Sequence, residues 1–299
     1  MIEPSSHLGH NTLRRIAETT ANYSSEKSNT IAFPSYGMNR HENTKLAVII
    51  HLYYLDMWGQ VEEGLSRISQ DFDLYISVPV GYGDVSIDTI SKYHKNTNIV
   101  VVPNRGRDVL PFVTIMNRIR KFNYDYVLKL HTKKSKHRSD GSDWFNDIIS
   151  NLLPDNQTGI YSKLSEEDTG IVGPKGHVVS LSRHMGSNEP RLLELISEID
   201  KTKIKRYQGN WVSYPFIGST MFWARVDLLI PLLDLYLLPS DFEAESGQID
   251  GTLAHAIERL MGGVLHDITL KNMYSIGTDG KIALVNKDNK FDEKYRFAP

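Results

Sequence analysis

Residues 45–54 read Lys-Leu-Ala-Val-Ile-Ile-His-Leu-Tyr-Tyr, an apolar run broken by a single histidine. A continuous run of this kind is typical of a strand that is buried on both faces of a parallel sheet. Three more such runs follow along the chain, at residues 73–79, 98–103 and 124–131. The segments between the runs predict helices at about 56–69, 84–96 and 108–121. Strands that alternate with helices in this way indicate right-handed βαβ units on a parallel sheet.

The second half of the chain is less regular. Its apolar patterns predict helices at about 142–153, 189–203, 226–236 and 249–261. Short apolar runs, which predict strands, lie at 170–173 and 215–223. No tract rich in proline, glycine or serine separates the halves, so we expect one unit at 45–270. A helical and loop extension at 1–44, with a helix at about 10–22, precedes this unit, and a tail at 271–299 follows it. The predicted fold class is α/β, with a Rossmann-type, mostly parallel sheet flanked by helices and an irregular C-terminal half.

The composition excludes several classes of protein. Hydrophobic residues make up 40% of the 299 residues, which excludes a disordered or collagen-like chain. The formal net charge of -2 disfavours a protein that depends on non-specific affinity for nucleic acid. The absence of cysteine excludes disulfides and thiolate sites. Because no signal peptide is visible and no apolar run approaches the ~20 residues that span a bilayer, we expect a soluble, cytoplasmic protein.

The loop after the third predicted strand contains Asn104, Arg105, Gly106, Arg107 and Asp108. In an open parallel sheet, ligands bind beyond the carboxyl ends of the strands. Gly106 permits a tight turn, and Asp108 is placed to cap the helix that follows. A helix N-terminus beside two arginines predicts an anion site. An ordinary capped turn between a strand and a helix explains the same residues equally well.

The fourth predicted strand runs into a cluster of cations that includes Lys129, His131, Lys133 and Lys134. Such a cluster at the carboxyl edge of a sheet can neutralise a diphosphate. The alternative is a solvated basic loop, which is what most charge runs are. Lys129 lies inside the strand, and a lysine in that position needs a partner because burying an unpaired charge is costly. This placement favours a binding site.

A third candidate segment is the aromatic run at 218–225. Gly218 and Ser219 form a turn that leads into Met221 and Trp223, and these residues would wall a sugar pocket because sugar rings stack on aromatic faces. The alternative, which this segment alone favours, is that they pack in the core.

The segment at 242–259 places carboxylates in a loop and at the start of a helix. Asp250 is expected in the first turn, where the helix dipole stabilises its ionised form, and it is a candidate general base. A plain helix cap is the alternative. Glu243 and Glu245 are competing carboxylates, and a lone helix histidine such as His255 is more often structural.

These motifs, taken together and in order, resemble the rhamnan synthesis protein F family over about 45–270. The resemblance is carried by Ala-Val-Ile-Ile-His-Leu-Tyr-Tyr at 47–54, Asn-Arg-Gly-Arg-Asp at 104–108, Tyr-Val-Leu-Lys-Leu-His-Thr-Lys-Lys at 126–134, Gly-Ser-Thr-Met-Phe-Trp-Ala-Arg at 218–225 and Gln-Ile-Asp-Gly-Thr-Leu-Ala-His-Ala-Ile-Glu-Arg at 248–259. The family looks like bacterial glycosyltransferases of the GT-A type. Where members of that type carry Asp-x-Asp for a metal ion, this chain has His131-Thr132-Lys133.

The resemblance implies a transferase that uses a nucleotide-sugar donor, dTDP-L-rhamnose. Because the His-Thr-Lys triplet offers cations in place of carboxylates, we expect the enzyme to need neither a metal nor another cofactor. His51 and Tyr53, with the turn at 104–108, would hold the base and ribose. The His-Thr-Lys edge would hold the diphosphate, with the help of Lys134 or Arg107. The segment at 218–225 would shape the acceptor pocket, and Asp250 would deprotonate the acceptor hydroxyl if the reaction inverts.

Several alternatives remain open at the level of the sequence. The same fold can use UDP-galactofuranose or another UDP-hexose, and a decayed transferase fold can serve as a glycan-binding module or as a scaffold that acts through 1–44. The acceptor implied by the resemblance is an oligosaccharide or a lipid-linked glycan at the inner face of the plasma membrane. The basic clusters at 133–138 and 201–206 are candidates for contact with anionic headgroups, although few charges lie in each.

Overall fold

The structure is a computed structural model that describes residues 40–41, 43–80, 90, 97–134 and 141–285. The helix expected at about 10–22, most of the one expected at 84–96 and the basic residues 135–138 lie outside the described residues. The described strands are β1 (Leu46–His51), β2 (Phe72–Pro79), β3 (Thr97–Val102), β4 (Tyr126–His131), β5 (Thr169–Pro174), β6 (Val178–Ser180), β7 (Pro215–Ile217), β8 (Phe222–Arg225), β9 (Asn272–Ile276) and β10 (Ile282–Leu284).

Eight of these strands form one sheet in the order β10-β9-β5-β8-β4-β1-β2-β3. β1 to β5 and β9 run in one direction, whereas β8 and β10 run in the other. β6 and β7 form a separate antiparallel pair. The predicted α/β class with a mostly parallel sheet is therefore confirmed. β9 and β10 lie beyond residue 270, so the sheet continues into the stretch that the sequence assigned to a tail.

The burial of the strands explains why the apolar runs predict them so well. Every residue of β1 and β2 is buried, because both strands lie inside the sheet and are covered on both faces. β3 lies at the edge and alternates between half-buried and buried residues. A run that is apolar at every position is thus the signature of a central strand here.

Helices cover both faces of the sheet. They are α1 (Trp58–Leu65), α2 (Val109–Ile119), α3 (Gly141–Leu152), α4 (Thr158–Ser165), α5 (Glu189–Ile199), α6 (Ile204–Tyr207), α7 (Val226–Leu233), α8 (Leu253–Arg259) and α9 (Leu265–Ile268), with a π-helical turn at Leu260–Val264 between the last two. Short 3₁₀ turns lie at Leu55–Met57, Arg120–Phe122, Leu181–His184, Gly186–Asn188, Lys201–Lys203 and Pro239–Asp241. The core on one face contains α1, α3 and α4, and the core on the other contains α2, α5, α7 and α8. Within the described ranges, no helix combines the length and apolar character that a membrane crossing requires.

The connectivity creates a switch point between β1 and β4. From β1 the chain builds outward through β2 and β3, and then returns to place β4 on the other side of β1. In open α/β sheets, ligands bind in the crevice at the carboxyl ends of the two strands that flank such a point. His51 and His131, the last residues of β1 and β4, are register partners at this position. Lys129 and His131 alternate with buried Leu128 and Leu130, so both side chains lie on the α2 face of the sheet.

Candidate functional site at the carboxyl edge of the sheet

A buried ion pair lies at the centre of the switch point. The Lys129 side chain is 1% exposed, and its Nζ donates hydrogen bonds to Asp108 Oδ2 and, over 2.9 Å, to the carbonyl oxygen of Thr220. The same ammonium lies 5.4 Å from the ring centre of Phe112. The partner that the sequence required for Lys129 is therefore Asp108. The expected helix cap is wrong: Asp108 precedes α2, but its carboxylate makes no capping hydrogen bond because it binds Lys129.

The two histidines that end β1 and β4 are held in their neutral form. Burial lowers the pKa of His51 to about 4. The negative charge of Asp108 opposes this shift, and the positive charge of Lys129 adds to it. Burial likewise lowers the pKa of His131 to about 3, although Asp108 opposes the shift. Nδ1 of His131 lies 3.3 Å from Asp108 Oδ2 without forming a hydrogen bond. His131 is thus a neutral, buried ring, and the expectation that it adds positive charge at neutral pH is wrong for this structure.

The remaining cations of the predicted cluster differ in their partners. Lys134 forms an ion pair with Asp56 and lies over the ring of Tyr54. Lys133 is exposed, and its Nζ lies 5.6 Å from the ring centre of Trp144. Within the part of the chain that the structure describes, no carboxylate lies within 4 Å of Lys133. Among the residues after β4 that the structure describes, Lys133 is therefore the cation of the predicted cluster that lacks a carboxylate partner.

The loop after β3 is fixed by the loop that precedes α8. Arg105 pairs with Ala244 in an isolated β-bridge, and the Arg107 backbone N–H donates to Glu245 over 3.2 Å. The Arg107 guanidinium donates to the carbonyl oxygen of Gln248 rather than to a carboxylate. Gly106 has a φ of 63°, which glycine adopts without strain. The two candidate segments, far apart in sequence, thus form one wall of the site, with Asn104 exposed at its rim.

Loops after β1 and β4 are also tied together beside the histidines. The Thr132 backbone N–H donates to the carbonyl oxygen of His51 over 3.0 Å, and the Tyr54 backbone N–H donates to Thr132 Oγ1 over 2.9 Å. Tyr53 is half-buried, with its ring centre 6.2 Å from that of His51. The expected base and ribose contacts His51 and Tyr53 therefore lie next to the diphosphate candidates.

Asp250 lies in the loop before α8 and not in the first turn of the helix, where the sequence predicted it, because the helix begins only at Leu253. Its carboxylate is occupied by other partners. Oδ2 accepts a hydrogen bond of 2.7 Å from the Ser187 backbone N–H, and Oδ1 accepts one from the Asn188 amide. Arg259 lies 3.8 Å away. Burial raises the pKa of Asp250, but these hydrogen bonds and Arg259 outweigh burial and hold the pKa below its ordinary value. Asp250 is therefore ionised at neutral pH and acts as a tie between two loops.

The other carboxylates expected near the acceptor also have structural partners. Glu243 accepts the Leu253 backbone N–H at the start of α8 over 2.9 Å and pairs with Arg191 at 2.9 Å. Glu245 accepts from Arg107, as described above. Both residues thus hold the loop that forms the wall of the site.

The aromatic run at 218–225 is mostly core. Met221 and Trp223 are 0% exposed, and the Trp223 indole donates to the carbonyl oxygen of Leu152 beneath α3. Neither side chain can line an acceptor pocket in this structure, which corrects that expectation in favour of core packing. Ser219 is buried and bonds within its own turn, whereas Gly218 is half-buried and its N–H donates to the carbonyl oxygen of His177.

Helix α8 brings a residue to the site that the sequence analysis did not select. Glu258 interacts electrostatically with Asp108, Arg107 and Lys133, and its burial, together with Asp108, raises its pKa. One turn earlier on the same helix face, His255 Nδ1 lies 2.7 Å from Thr252 Oγ1, and its buried Nε2 has no partner among the described residues. Burial, with Arg107 and Arg259, lowers the pKa of His255 to about 4. The sequence feature that could have identified Glu258 is its spacing of three residues from His255, which places both on one face of a helix.

Among the described residues, no three histidine, aspartate or glutamate side chains are grouped so that they could hold a metal ion. The site therefore consists of a neutralised ion pair, three neutral histidines, a carboxylate with raised pKa and the cations Lys133 and Arg107.

The fold and this edge define an open α/β protein with a cluster of polar side chains at its switch point. The chain belongs to the rhamnan synthesis protein F family, whose model matches residues 9–269. The match includes most of 1–44, which the motifs alone left outside the resemblance. The family takes its name from the synthesis of rhamnan, a polysaccharide.

The uncharacterized protein WxcX of Xanthomonas campestris pv. campestris is similar to this chain. In strains B100 and ATCC 33913 the identity is 35% over 217 residues, which is 72% of this chain and 30% of WxcX. The chain thus spans about a third of the length of these relatives.

Proposed function

We propose that this chain is a glycosyltransferase of the GT-A type that binds a nucleotide-sugar donor at the carboxyl edge of the sheet. The sugar moves to a hydroxyl of a growing polysaccharide, on an oligosaccharide or a lipid-linked acceptor. Membership in a rhamnan synthesis family supports dTDP-L-rhamnose as the donor, because a rhamnan is a polymer of rhamnose. UDP-galactofuranose and other UDP-hexoses are the competing donors.

One observation carries the proposal: His51 and His131 are register partners at the switch point, and Lys133, an exposed cation without a carboxylate partner among the described residues, follows His131 by two residues. Lys129 and Lys134 are paired with carboxylates, so their charges are already balanced within the protein. An exposed ammonium at this edge can instead contact a diphosphate directly.

The roles of the remaining residues follow from their places. Lys133 and Arg107 stabilise the diphosphate, and His51 and Tyr53 contact the nucleoside. The Lys129–Asp108 pair fixes the positions of β4 and the α2 N-terminus. Because a lysine replaces the carboxylates of the Asp-x-Asp triplet, we propose that transfer needs no divalent metal.

The test compares Lys133→Ala with Lys205→Ala, a change at an exposed lysine of α6. Loss of a charge-assisted contact worth ~1.5–3 kcal/mol weakens binding of dTDP or UDP by roughly ten- to hundredfold. Isothermal titration calorimetry with both nucleotides measures the effect, and Lys205→Ala should bind as the wild type does. Equal affinity in Lys133→Ala and wild type would remove the main support for the cationic edge.

Metal independence is tested separately in the transfer reaction. Release of nucleoside diphosphate from dTDP-L-rhamnose and from UDP-hexoses is followed with a rhamnose oligosaccharide as acceptor, with and without EDTA. We expect equal rates in the two conditions. Strict dependence on Mn²⁺ or Mg²⁺ would reject metal-independent transfer while leaving the nucleotide site in place.

A further inference from the structure

Among the described residues, Glu258 is a largely buried carboxylate with no described hydrogen bond to another element. It lies in the last turn of α8, and its side chain is 16% exposed. The one hydrogen bond described for it comes from its neighbour Arg259, over 3.2 Å. The charged groups that face it are Asp108 before α2, Arg107 in the same loop and Lys133 after β4. Glu258 therefore shares the space in front of the proposed diphosphate contacts.

Asp250, the base expected from the sequence, is in a different situation. Both of its carboxylate oxygens accept hydrogen bonds from the turn at Gly186–Asn188, and its pKa lies below the ordinary value. A Cβ on Gly186 would lie 2.0 Å from Asp250 Oδ2, so the turn and the carboxylate fit closely. Removing Asp250 from this position to reach a substrate would break three contacts.

Two carboxylates, Asp250 in the loop before α8 and Glu258 in the last turn of α8, thus have opposite environments. Burial and the nearby charge of Asp108 raise the pKa of Glu258, whereas hydrogen bonds lower that of Asp250. When environments separate two carboxyl groups in this way, the one with the raised pKa is the better proton acceptor near neutral pH.

We infer that Glu258 is the general base that deprotonates the acceptor hydroxyl, an inference that rests on the transferase activity proposed above. The acceptor oxygen forms a bond to the anomeric carbon as the bond from that carbon to the diphosphate oxygen breaks. The bonding electron pair leaves with the nucleoside diphosphate, and the hydroxyl proton moves to a carboxylate oxygen of Glu258. Water then takes up this proton. The displacement is single, so it inverts the anomeric centre.

The opposite charges around Glu258 suit this step. Lys133 and Arg107 attract the diphosphate, so the leaving group lies on the cationic side of the crevice. Glu258 lies within the field of both cations, so a carboxylate is close to the proposed diphosphate contacts. A group of this kind supplies typically 10²–10⁴-fold in rate.

The experiment uses Glu258→Gln, Asp250→Asn and, as the matched control, Glu194→Gln at an exposed glutamate of α5. The donor is whichever of dTDP-L-rhamnose, UDP-galactofuranose and UDP-glucose the wild type turns over. Two readouts are taken: calorimetric affinity for the corresponding nucleoside diphosphate, and the pH profile of kcat/KM for its release. Glu258→Asp, which keeps a carboxylate one methylene shorter, is included in case the glutamine variant does not fold.

We expect Glu258→Gln to bind the nucleoside diphosphate within about threefold of wild type and to lose roughly 10²–10⁴-fold in kcat. The wild type should show an acid limb in kcat/KM with a midpoint above the ordinary pKa of glutamate. This limb disappears in Glu258→Gln and persists, at a lower rate, in Glu258→Asp. Asp250→Asn and Glu194→Gln should keep it.

Other outcomes overturn the inference. A kcat of Glu258→Gln within about threefold of wild type, or an unchanged acid limb, excludes Glu258 as the base. Loss of the limb in Asp250→Asn alone would assign the role to Asp250. If the wild type binds neither dTDP nor UDP and turns over no donor, the proposed function itself fails, and this result is distinct from the other two.

Discussion

The buried pair Lys129–Asp108 allows a prediction whose size follows from the structure. Asp108→Asn keeps the shape of the side chain but leaves the ammonium of Lys129, 1% exposed, without its counter-charge. Removing one partner of a buried ion pair costs about 3–5 kcal/mol. Phe112 and the Thr220 carbonyl remain near the ammonium, and neither supplies a full charge. At ~2–4 °C per kcal/mol for a large domain, Tm should fall by roughly 6–20 °C.

A double-mutant cycle separates loss of the pair from loss of packing. Lys129→Met should also destabilise the fold, because it leaves the Asp108 carboxylate buried beside a neutral histidine. The combination of Lys129→Met with Asp108→Asn removes both charges, so we expect it to recover most of the loss, as replacing buried pairs by neutral groups often does. The free energy of unfolding is measured by urea denaturation at neutral pH. Single effects that simply add in the double variant would refute the view that Asp108 is there to neutralise Lys129.

Two further predictions concern acid stability and the wall of the site. Burial holds the pKa values of His51 and His131 at about 4 and about 3, against 6.5 for a free histidine. As pH falls below 6.5 the unfolded chain binds protons that the folded chain does not, so the free energy of unfolding should fall by up to ~1.4 kcal/mol per pH unit for each histidine. His131→Gln should reduce this slope by one proton between pH ~6 and ~4.5 in urea denaturation, and an unchanged slope would contradict the neutral ring. Gly106→Ala places a Cβ 2.6 Å from Phe242 and from Leu110 at a φ of 63°, so it should destabilise by more than ~1 kcal/mol, whereas Gly59→Ala in α1, with nothing within 4 Å, should stabilise slightly. A Tm that rises in both variants would disprove the constraint at Gly106.

The sequence predicts the first four strands well because each carries its own signal. β1, β2 and β4 are buried on both faces, so most of their residues are apolar, and a polar residue such as Lys129 in β4 needs a buried partner. The residues of β8 do not indicate where this strand lies in the sheet, which is between β4 and β5 and antiparallel to both. The chain reverses before it at Thr220, which has a φ of 50° although it is not glycine, and nothing in the residue types announces such a turn.

The site was predictable in part for the same physical reasons. A lysine inside an apolar strand implies a partner, but the identity of Asp108 depends on how β4 lies beside α2 and so on the whole sheet. The free charge of His131 could not be judged, because its pKa depends on burial that only the folded chain produces. Glu258 was missed since a glutamate on an amphipathic helix is ordinary until α8 is seen to pack over the crevice.

The charges of the folded site support the proposed nucleotide-sugar donor more directly than the number of cations in the sequence does. Lys129 and Lys134 have carboxylate partners, and His51, His131 and His255 are neutral. Within the described residues, the cations at the edge that lack a carboxylate partner are Lys133 and Arg107. A nucleotide sugar carries two negative charges on its diphosphate, one on each phosphate. Two cations without carboxylate partners therefore match the two charges of the proposed donor. As the sugar departs, a third negative charge would develop on the diphosphate, and Lys133 and Arg107 would stabilise it there.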